Sequence, residues 1–422
     1  MFEPNSDITH VLQERINELA KTGGGEILIP PGEYWIRPIE LKSNICLNLC
    51  AGATLKASPE RDDYFPIGYD HNEMGQVFSV IYAVDQKNIT VKGEGTIDLN
   101  GEAWYRMDDP KPMHTVGPEI TAAHRAEGAR SYGWRVNQPI FFHQCQNIRF
   151  DGLNLINAPC WTMSFNFCRI VKMTDLTILN GLLIPNSDGM HFTGSSDILI
   201  SGCAITAGDD CVALTSITDW NVPCENVTIT NCVFQSASKA ISVGYMHSIV
   251  RNVLIENVVI KKSNRAFVIM CHPRTGRVEN VRVSNCILEG RSYAGGWWGN
   301  GEAIVIMVSP QHIERYREPL PDPRFDLAVR NVHFTNVSCH AERPIGVVAT
   351  EPLTRNIQFR DVIIEIVPEE RPSLKGNAID LAPGPENYEI PKAGIGMVCV
   401  NSEPVLDNVT DADGTPIETI TG

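Results

Sequence analysis

A short tag recurs along the chain: an Asn or Asp, two or three β-formers, a small or polar pair, then another apolar stretch. It reads NITVKGEGTI from Asn88, NIRFDGLNLI from Asn147, IVKMTDLTIL from Ile170 (where Ile takes the Asn place) and DILISGCAIT from Asp197. It continues as NVTITNCVF from Asn226, NVLIENVVI from Asn252, NVRVSNCIL from Asn280, NVHFTNVSC from Asn331 and NIQFRDVII from Asn356. From Asn147 to Asn280 successive starts lie 23 to 29 residues apart, a solenoid period. One such unit holds two short strands and their turns, and cannot bury its own apolar residues. Stacked units close a continuous core through parallel ladders. Asn and Asp at fixed turn positions suit left-handed backbone and can hydrogen-bond to the units above and below. The pattern predicts an all-β chain wound as a right-handed parallel β-helix. A doubly wound α/β sheet would need helix-length patterns between strands, and none follows residue 22. The Leu spacing of a leucine-rich solenoid is also missing.

The one helical pattern is Ile8, Val11, Leu12, Ile16 and Leu19, stopped by Gly23-Gly24-Gly25. Residues 1–22 are therefore expected to cap the first coil, whose strand edge would otherwise be open. Two stretches break the period, 101–138 and 289–325, and are expected to project from one face and line a binding site. The Pro- and Gly-rich tail 383–422 is expected to pack irregularly over the last coil of a single-domain chain.

A net charge of -15 disfavours non-specific binding to nucleic acid or an anionic membrane. No apolar stretch reaches membrane-spanning length, and the N-terminus lacks a basic region followed by an apolar run. The thirteen cysteines are odd in number and many, such as Cys145, Cys203, Cys232 and Cys286, sit in apolar strand-like segments. That usage predicts free thiols in a reducing compartment, the cytoplasm. Cys46 and Cys50 have metal-ligand spacing, but no second pair follows, so no metal site is expected there.

The chemistry centres on Asn186-Ser187-Asp188-Gly189 and Gly208-Asp209-Asp210-Cys211, close to one repeat apart. Coils stack about 4.8 Å apart, which would bring Asp188, Asp209 and Asp210 together on one face. Crowded carboxylates repel, and the least solvated is pushed towards its protonated form. A protonated acid beside an ionised one is what glycoside hydrolysis needs. A single turn Asp in a β-helix is more often structural, and a carboxylate cluster can also hold a divalent cation, as in calcium-dependent lyases. The double Asp after Gly, one coil from Asn-Ser-Asp-Gly, favours the hydrolytic reading.

With these motifs the chain resembles glycoside hydrolase family 28, the polygalacturonase-like family, over nearly its whole length. GGGEILIPPGEYWIRPIELKSNICLNLCAGATLKAS looks like the family's opening coil, and GEGTIDLNGEAWY and NAPCWT are similar to its landmarks. Its Asn-Thr-Asp motif matches Asn186-Ser187-Asp188, and its Gly-Asp-Asp-Cys matches Gly208 to Cys211. The resemblance implies that Asp209 is the general acid, that Asp188 and Asp210 hold and activate water, and that the anomeric centre inverts without cofactor or metal. Two positions depart from it. The histidine of the family's Gly-His-Gly falls on Lys239, and its carboxylate-gripping Arg-Ile-Lys falls on Phe267-Val268-Ile269.

Lys239 is then expected either to pair with the acidic cluster or to bind a substrate acid group. Arg265, His272 and Arg274 lie near the missing pair and could take over carboxylate binding. Trp297 and Trp298, in Gly295-Gly296-Trp297-Trp298-Gly299, could stack on a sugar face, with Glu302 close behind. Asn186 and His191 complete the substrate-binding candidates. The expected partner is an oligosaccharide derived from pectin, of galacturonan or rhamnogalacturonan type, cut from a chain end. The alternatives are a hydrolase of neutral glycosides on the same fold, a sugar-binding β-helix without turnover, and a lyase.

Overall fold

The structure is a computed structural model that describes residues 2–106, 131–217, 219–293, 297–310, 322–370, 372–373, 375–384 and 386–422. Each tag folds as one coil. In a representative coil the tag supplies strands Gln146–Asp151 and Asn154–Ile156, bent apart at Gly152-Leu153. A corner then leads to Met163–Asn166. The first two strands lie in a twenty-stranded sheet and the third in a twelve-stranded sheet. The next coil pairs in parallel register, Ile148 with Val171, Leu155 with Ile178, and Met163 with Met190. The twelve-stranded sheet runs in strict chain order from Ile39–Glu40 to Thr419–Thr421. Parallel crossovers between twisted strands are right-handed, so the predicted right-handed parallel β-helix is the architecture.

Alternate side chains point inward and stack on their own kind. Phe142, Phe165 and Phe192 form one column, with ring centroids 5.5 and 5.2 Å apart. Each fully buried side chain of this size contributes about 1.5–3 kcal/mol. The tag Asn residues hold the turn outside the core. Asn88, Asn147, Asn226, Asn252, Asn280, Asn331 and Asn356 all have φ between 55° and 59°. Their amides form a ladder, Asn147 donating to Asn88 (2.8 Å), Asn252 to Asn226 (3.0 Å), Asn280 to Asn252 (3.0 Å) and Asn356 to Asn331 (2.9 Å).

Ile170 interrupts the ladder while keeping φ at 58°. A β-branched side chain in left-handed backbone costs roughly 1–2 kcal/mol, and Ile170 has no amide to pass on. Ile170→Asn is therefore expected to raise Tm by several degrees, measured by calorimetry; a lower Tm would show that the half-buried Ile170 contributes more through packing than its backbone costs.

The capping helix spans Thr9–Lys21, with Leu12 and Ile16 buried on the first coil. The Gln13 side chain satisfies both backbone groups of Glu40, donating to its carbonyl (3.0 Å) and accepting from its N–H (2.8 Å). A side-chain amide thus covers the start of the twelve-stranded sheet. The tail departs from expectation. Beyond an irregular stretch from Pro383, strands Met397–Val400, Val405–Thr410 and Thr419–Thr421 extend both sheets in parallel. All thirteen cysteines are free, eleven of them buried. No helix among the described residues is long and apolar enough to cross a membrane.

The chain makes four long excursions at the same corner, where the twenty-stranded sheet hands over to the twelve-stranded one. They are 58–80, 99–139, 291–301 and 367–396. Of the two segments expected from the broken period, 101–138 falls inside the second excursion, whereas 289–325 is not one insertion, since it holds the third excursion and then the regular sheet strand Glu302–Val308; 107–130, 294–296 and 311–321 fall outside the described residues. The other two, 58–80 and 367–396, were not marked by it.

Candidate active site

The same corner carries the acids. Thr162 N–H donates to Asp188 O (2.9 Å), Gly189 N–H to Asp210 O (2.8 Å) and Cys211 N–H to Lys239 O (3.1 Å). Lys239 then pairs in register with Arg265, and Arg265 with Glu302. Five consecutive coils therefore stack Asp188, Asp210, Lys239, Arg265 and Glu302 in one column at about 4.8 Å per step, and Asp209 sits beside Asp210. Close approach explains the glycines: a Cβ on Gly208 would lie 2.1 Å from Ile184 O, and one on Gly189 would lie 2.5 Å from Cys211 O. Ser187, in the middle of its motif, ties the two turns together, donating to Ile184 O (2.9 Å) and accepting from Gly208 N–H (3.0 Å).

Lys239 Nζ lies 2.6 Å from Asp210 Oδ1 and 3.3 Å from Asp209 Oδ1. It also donates to Ser238 Oγ at 3.4 Å and sits 4.5 Å from the centre of the Trp298 ring. Burial opposes its charge, but Asp209 and Asp210 outweigh that and raise its pKa. Of the two outcomes foreseen for Lys239, pairing with the acids is the one observed. The cluster's counter-charge comes from the protein itself, and among the described residues no group of His, Cys, Asp and Glu is arranged to hold a metal ion.

The three carboxyls differ sharply. Burial, then the charges of Asp209 and Asp210, push Asp188 well above the usual carboxylate range. Burial and Asp209 push Asp210 up to about 8 against the pull of Lys239. Asp209 is the exception: burial would raise it, but Lys239 and hydrogen bonds from Asp210 and Ser238 hold it below its ordinary value. Its side chain is also the most accessible, 19% exposed against 9% for Asp210 and 4% for Asp188. Burial and mutual repulsion thus favour the protonated form of the two inner acids, while Lys239 favours the carboxylate of Asp209 at the surface of the cleft.

Partners fix these groups. Asp188 Oδ2 is hydrogen-bonded to His191 Nδ1 at 3.3 Å, while Asp188 Oδ1 has no protein partner among the described residues. His191 stacks on Trp161 with centroids 3.8 Å apart and contacts Thr215 Oγ1 through Nε2 at 3.2 Å. Burial keeps its imidazole neutral. Asn186, at φ 53°, donates to Asp209 Oδ2 (3.3 Å) and accepts from Arg135 Nη2 (3.0 Å). Arg135 also donates to the carbonyls of Pro159 and Pro185, both at 2.6 Å.

Asp188, Asp209, Asp210 and Thr215 line a cleft over the outer face of the twelve-stranded sheet. Trp297 and Trp298 line it, as do Asn186, His191 and Lys239. Glu73, Trp161 and Tyr245 also line it and were not among the candidates. Trp161 lies within NAPCWT, one coil before Asp188, so register alone could have found it. Glu73 comes from the unmarked excursion 58–80, and nothing nearby in sequence pointed to it.

Four candidates lie elsewhere. Arg265 is fully buried, with Nη2 2.6 Å from Asp380 O and 3.4 Å from Asp380 Oδ2, and Nε 3.9 Å from Glu302 Oε2. Glu302 is equally buried and accepts from the N–H groups of Asn300 (2.6 Å) and Asp380 (2.7 Å). Together with Lys375, which donates to Trp297 O (2.5 Å) and Gly299 O (2.9 Å), they bind excursion 367–396 to the Trp297–Trp298 segment. Desolvated ions of this kind need partners, and here each has found one within the protein. His272 bonds Thr275 (2.5 Å) and packs on His247 (centroids 4.6 Å), and Arg274 pairs on the surface with Glu351 (2.6 Å). Neither reaches the cleft. Phe267 and Ile269 point into the core, and the outward residues between and after them, Val268 and Met270, join an apolar cluster with Trp161 and Tyr245.

Ile379, Leu381, Ile390 and Ile395 of excursion 367–396 pack over Val268, Val305, Met307 and Val348 on the outer sheet face. Apolar burial under this arm covers the sheet face beyond Trp298.

Comparison with known proteins agrees with this geometry. Residues 23–365 match the family described as glycosyl hydrolases family 28. A polygalacturonase of Arabidopsis thaliana is 25% identical over 292 residues, covering 66% of this chain and 57% of its own length. A polygalacturonase of Malus domestica is 29% identical over 202 residues, covering 47% of this chain and 38% of its own. The chain therefore spans well under two thirds of these relatives. The solved hyperthermoactive exopolygalacturonase from Thermotoga maritima superposes with a TM-score of 0.70 at 21% identity, covering 96% of this chain and 88% of that one. By the extent of the match, with the acidic motifs inside it, the chain belongs to glycosyl hydrolase family 28.

Proposed function

We propose that the protein hydrolyses glycosidic bonds in pectin-derived oligosaccharides, of galacturonan or rhamnogalacturonan type, acting from a chain end and inverting the anomeric centre. The observation that carries this reading is the stack of Asp188, Asp209 and Asp210 on adjoining coils, neutralised by Lys239, at the floor of the cleft. Membership of the family and the relatives' names support the pectic class. The arm 367–396, over the sheet face beyond Trp298, supports end-on action, because a chain running along that face would collide with it. Thirteen free thiols support a reducing compartment such as the cytoplasm.

In this reading Asp209, the most accessible acid, meets the leaving oxygen. Its proton comes from Asp210, whose carboxyl is hydrogen-bonded to it. Neighbouring acids that interact this strongly titrate as a unit, so the proton can pass between them as the glycosidic oxygen gains basicity. Asp188, with Oδ1 facing no protein donor among the described residues, holds the water that attacks the opposite face of the sugar, and that water's proton passes to Asp210, left ionised when its own proton moved to Asp209. With a proton on Asp210 up to about pH 8, kcat/KM falls on an alkaline limb near that pH.

Release of reducing sugar from a panel of pectic oligosaccharides, with product length and anomeric form followed by NMR, tests the proposal. Single units of inverted configuration are expected. Unsaturated ultraviolet-absorbing products would indicate a lyase, and binding without products an adhesin. Trp298→Ala should raise KM about tenfold with little change in kcat, since an indole face contributes roughly 1.5–3 kcal/mol when buried; an unchanged KM would remove Trp298 from the sugar site.

A further inference from the structure

We propose that the sugar ring held beside Trp298 in the cleft is an uncharged pyranose and not a uronate. The proposal rests on the hydrolase reading and narrows its substrate. The floor of the cleft is the outward face of the twelve-stranded sheet, where His191 and Ser242 stand in one column, both in register with Ala213, and Thr215 and Met270 in the next. His191 is held neutral by burial, and the other three carry no charge. Tyr245 and Trp298 stack 5.9 Å apart, and Trp161 and Ile217 also line the cleft. This surface offers ring faces and neutral hydroxyl and amide partners, which suit a polyol.

The charges around it are of the wrong sign for a uronate. Asp188, Asp209, Asp210 and Glu73 all line the cleft, and Glu73 is near enough to raise Asp188. Lys239 is the only cationic side chain lining it among the described residues. An ammonium has three donors. Lys239 donates to Asp209 and Ser238, forms an ion pair with Asp210 at 2.6 Å, and has the Trp298 ring 4.5 Å away. Arg135 and Arg265 are committed to backbone carbonyls and to side chains of the protein. A sugar carboxylate would thus lose its water, gain no cation from the described residues and face Asp209, the acid held lowest.

Titration of the wild-type protein with matched monosaccharides decides the matter. Galactose, its 6-deoxy form and galacturonate form one series, and glucose and glucuronate another, with binding followed by calorimetry and saturation-transfer NMR at neutral pH. In at least one series the neutral sugar is expected to bind about tenfold or more tightly than its uronate. Equal or tighter binding of the uronate, or no neutral preference in either series, overturns the proposal. Met270→Lys supplies a second measurement by placing an ammonium on the floor. It should improve uronate binding about tenfold; a folded Met270→Lys protein that gains nothing also counts against the proposal. Because Met270 is buried, the wild-type ranking stands on its own if this variant fails to fold. Failure of the hydrolase reading looks different: no reducing sugar from any oligosaccharide, whatever the monosaccharide ranking.

Discussion

Asp209→Asn is expected to lower kcat about 10³-fold, within the range for loss of a general acid, with KM little changed and the protein fully folded. Asparagine keeps the shape of the side chain and its place beside Asn186 and Lys239, but cannot deliver a proton. Lys239 retains Asp210 at 2.6 Å, and loss of the Asp209 charge favours ionisation of Asp210, so the buried ammonium keeps a counter-charge. The charge of Asp209 raises both Asp188 and Asp210, and its removal relieves that repulsion. Tm should therefore stay level or rise slightly, as expected where a site trades stability for chemistry. Steady-state kinetics beside thermal melts checks both halves. Activity equal to wild type would remove Asp209 from the reaction.

Lys239→Met is expected to be the most destabilising single change at the site, by about 3–5 kcal/mol at neutral pH, because it leaves the Asp209 carboxylate without a counter-charge beside two further buried acids. Methionine preserves the stem's volume, so packing is a minor part of the loss. The sign of the pH dependence follows from the carboxyls. Lys239 pulls Asp188, Asp209 and Asp210 down, and without it all three rise. A carboxyl raised in the folded state contributes stability in full below its unfolded pKa of about 3.9 and loses it as pH rises through the folded value. In the wild type this loss for Asp210 runs up to about pH 8. In the variant it extends further and involves more groups, so its deficit should be small near pH 4 and grow towards neutral pH. The alkaline limb of kcat/KM should move upward too. Melts from pH 4 to 9 test this: a deficit constant across the range would show that Lys239 contributes only packing.

Much of the fold was legible because its determinants are local. Left-handed Asn turns, two-residue alternation and a period of about one coil are properties of short segments, and each repeat states them again. Ile170 shows how strongly the repeat dominates: it adopts the left-handed turn with the wrong side chain, because the coils on either side fix the backbone. The tail was misread for the converse reason. Its Pro and Gly residues hide two more coils, whose pairing partners stand some fifty residues earlier in Ile345–Ala349 and Thr354–Ile366.

The sequence by itself determined the coil, the corner and the meeting of Asp188, Asp209 and Asp210, since residues one repeat apart must stack. The tertiary structure alone decided what the basic residues do. Lys239 and Arg265 occupy neighbouring steps of the same column. One neutralises acids in an open cleft, while the other is sealed with Glu302 and Asp380 beneath the Trp297–Trp298 segment. The difference comes from excursions whose partners lie tens to more than a hundred residues away. A charge takes its role from the dielectric and the partners around it, and no local pattern encodes which distant segment will cover it.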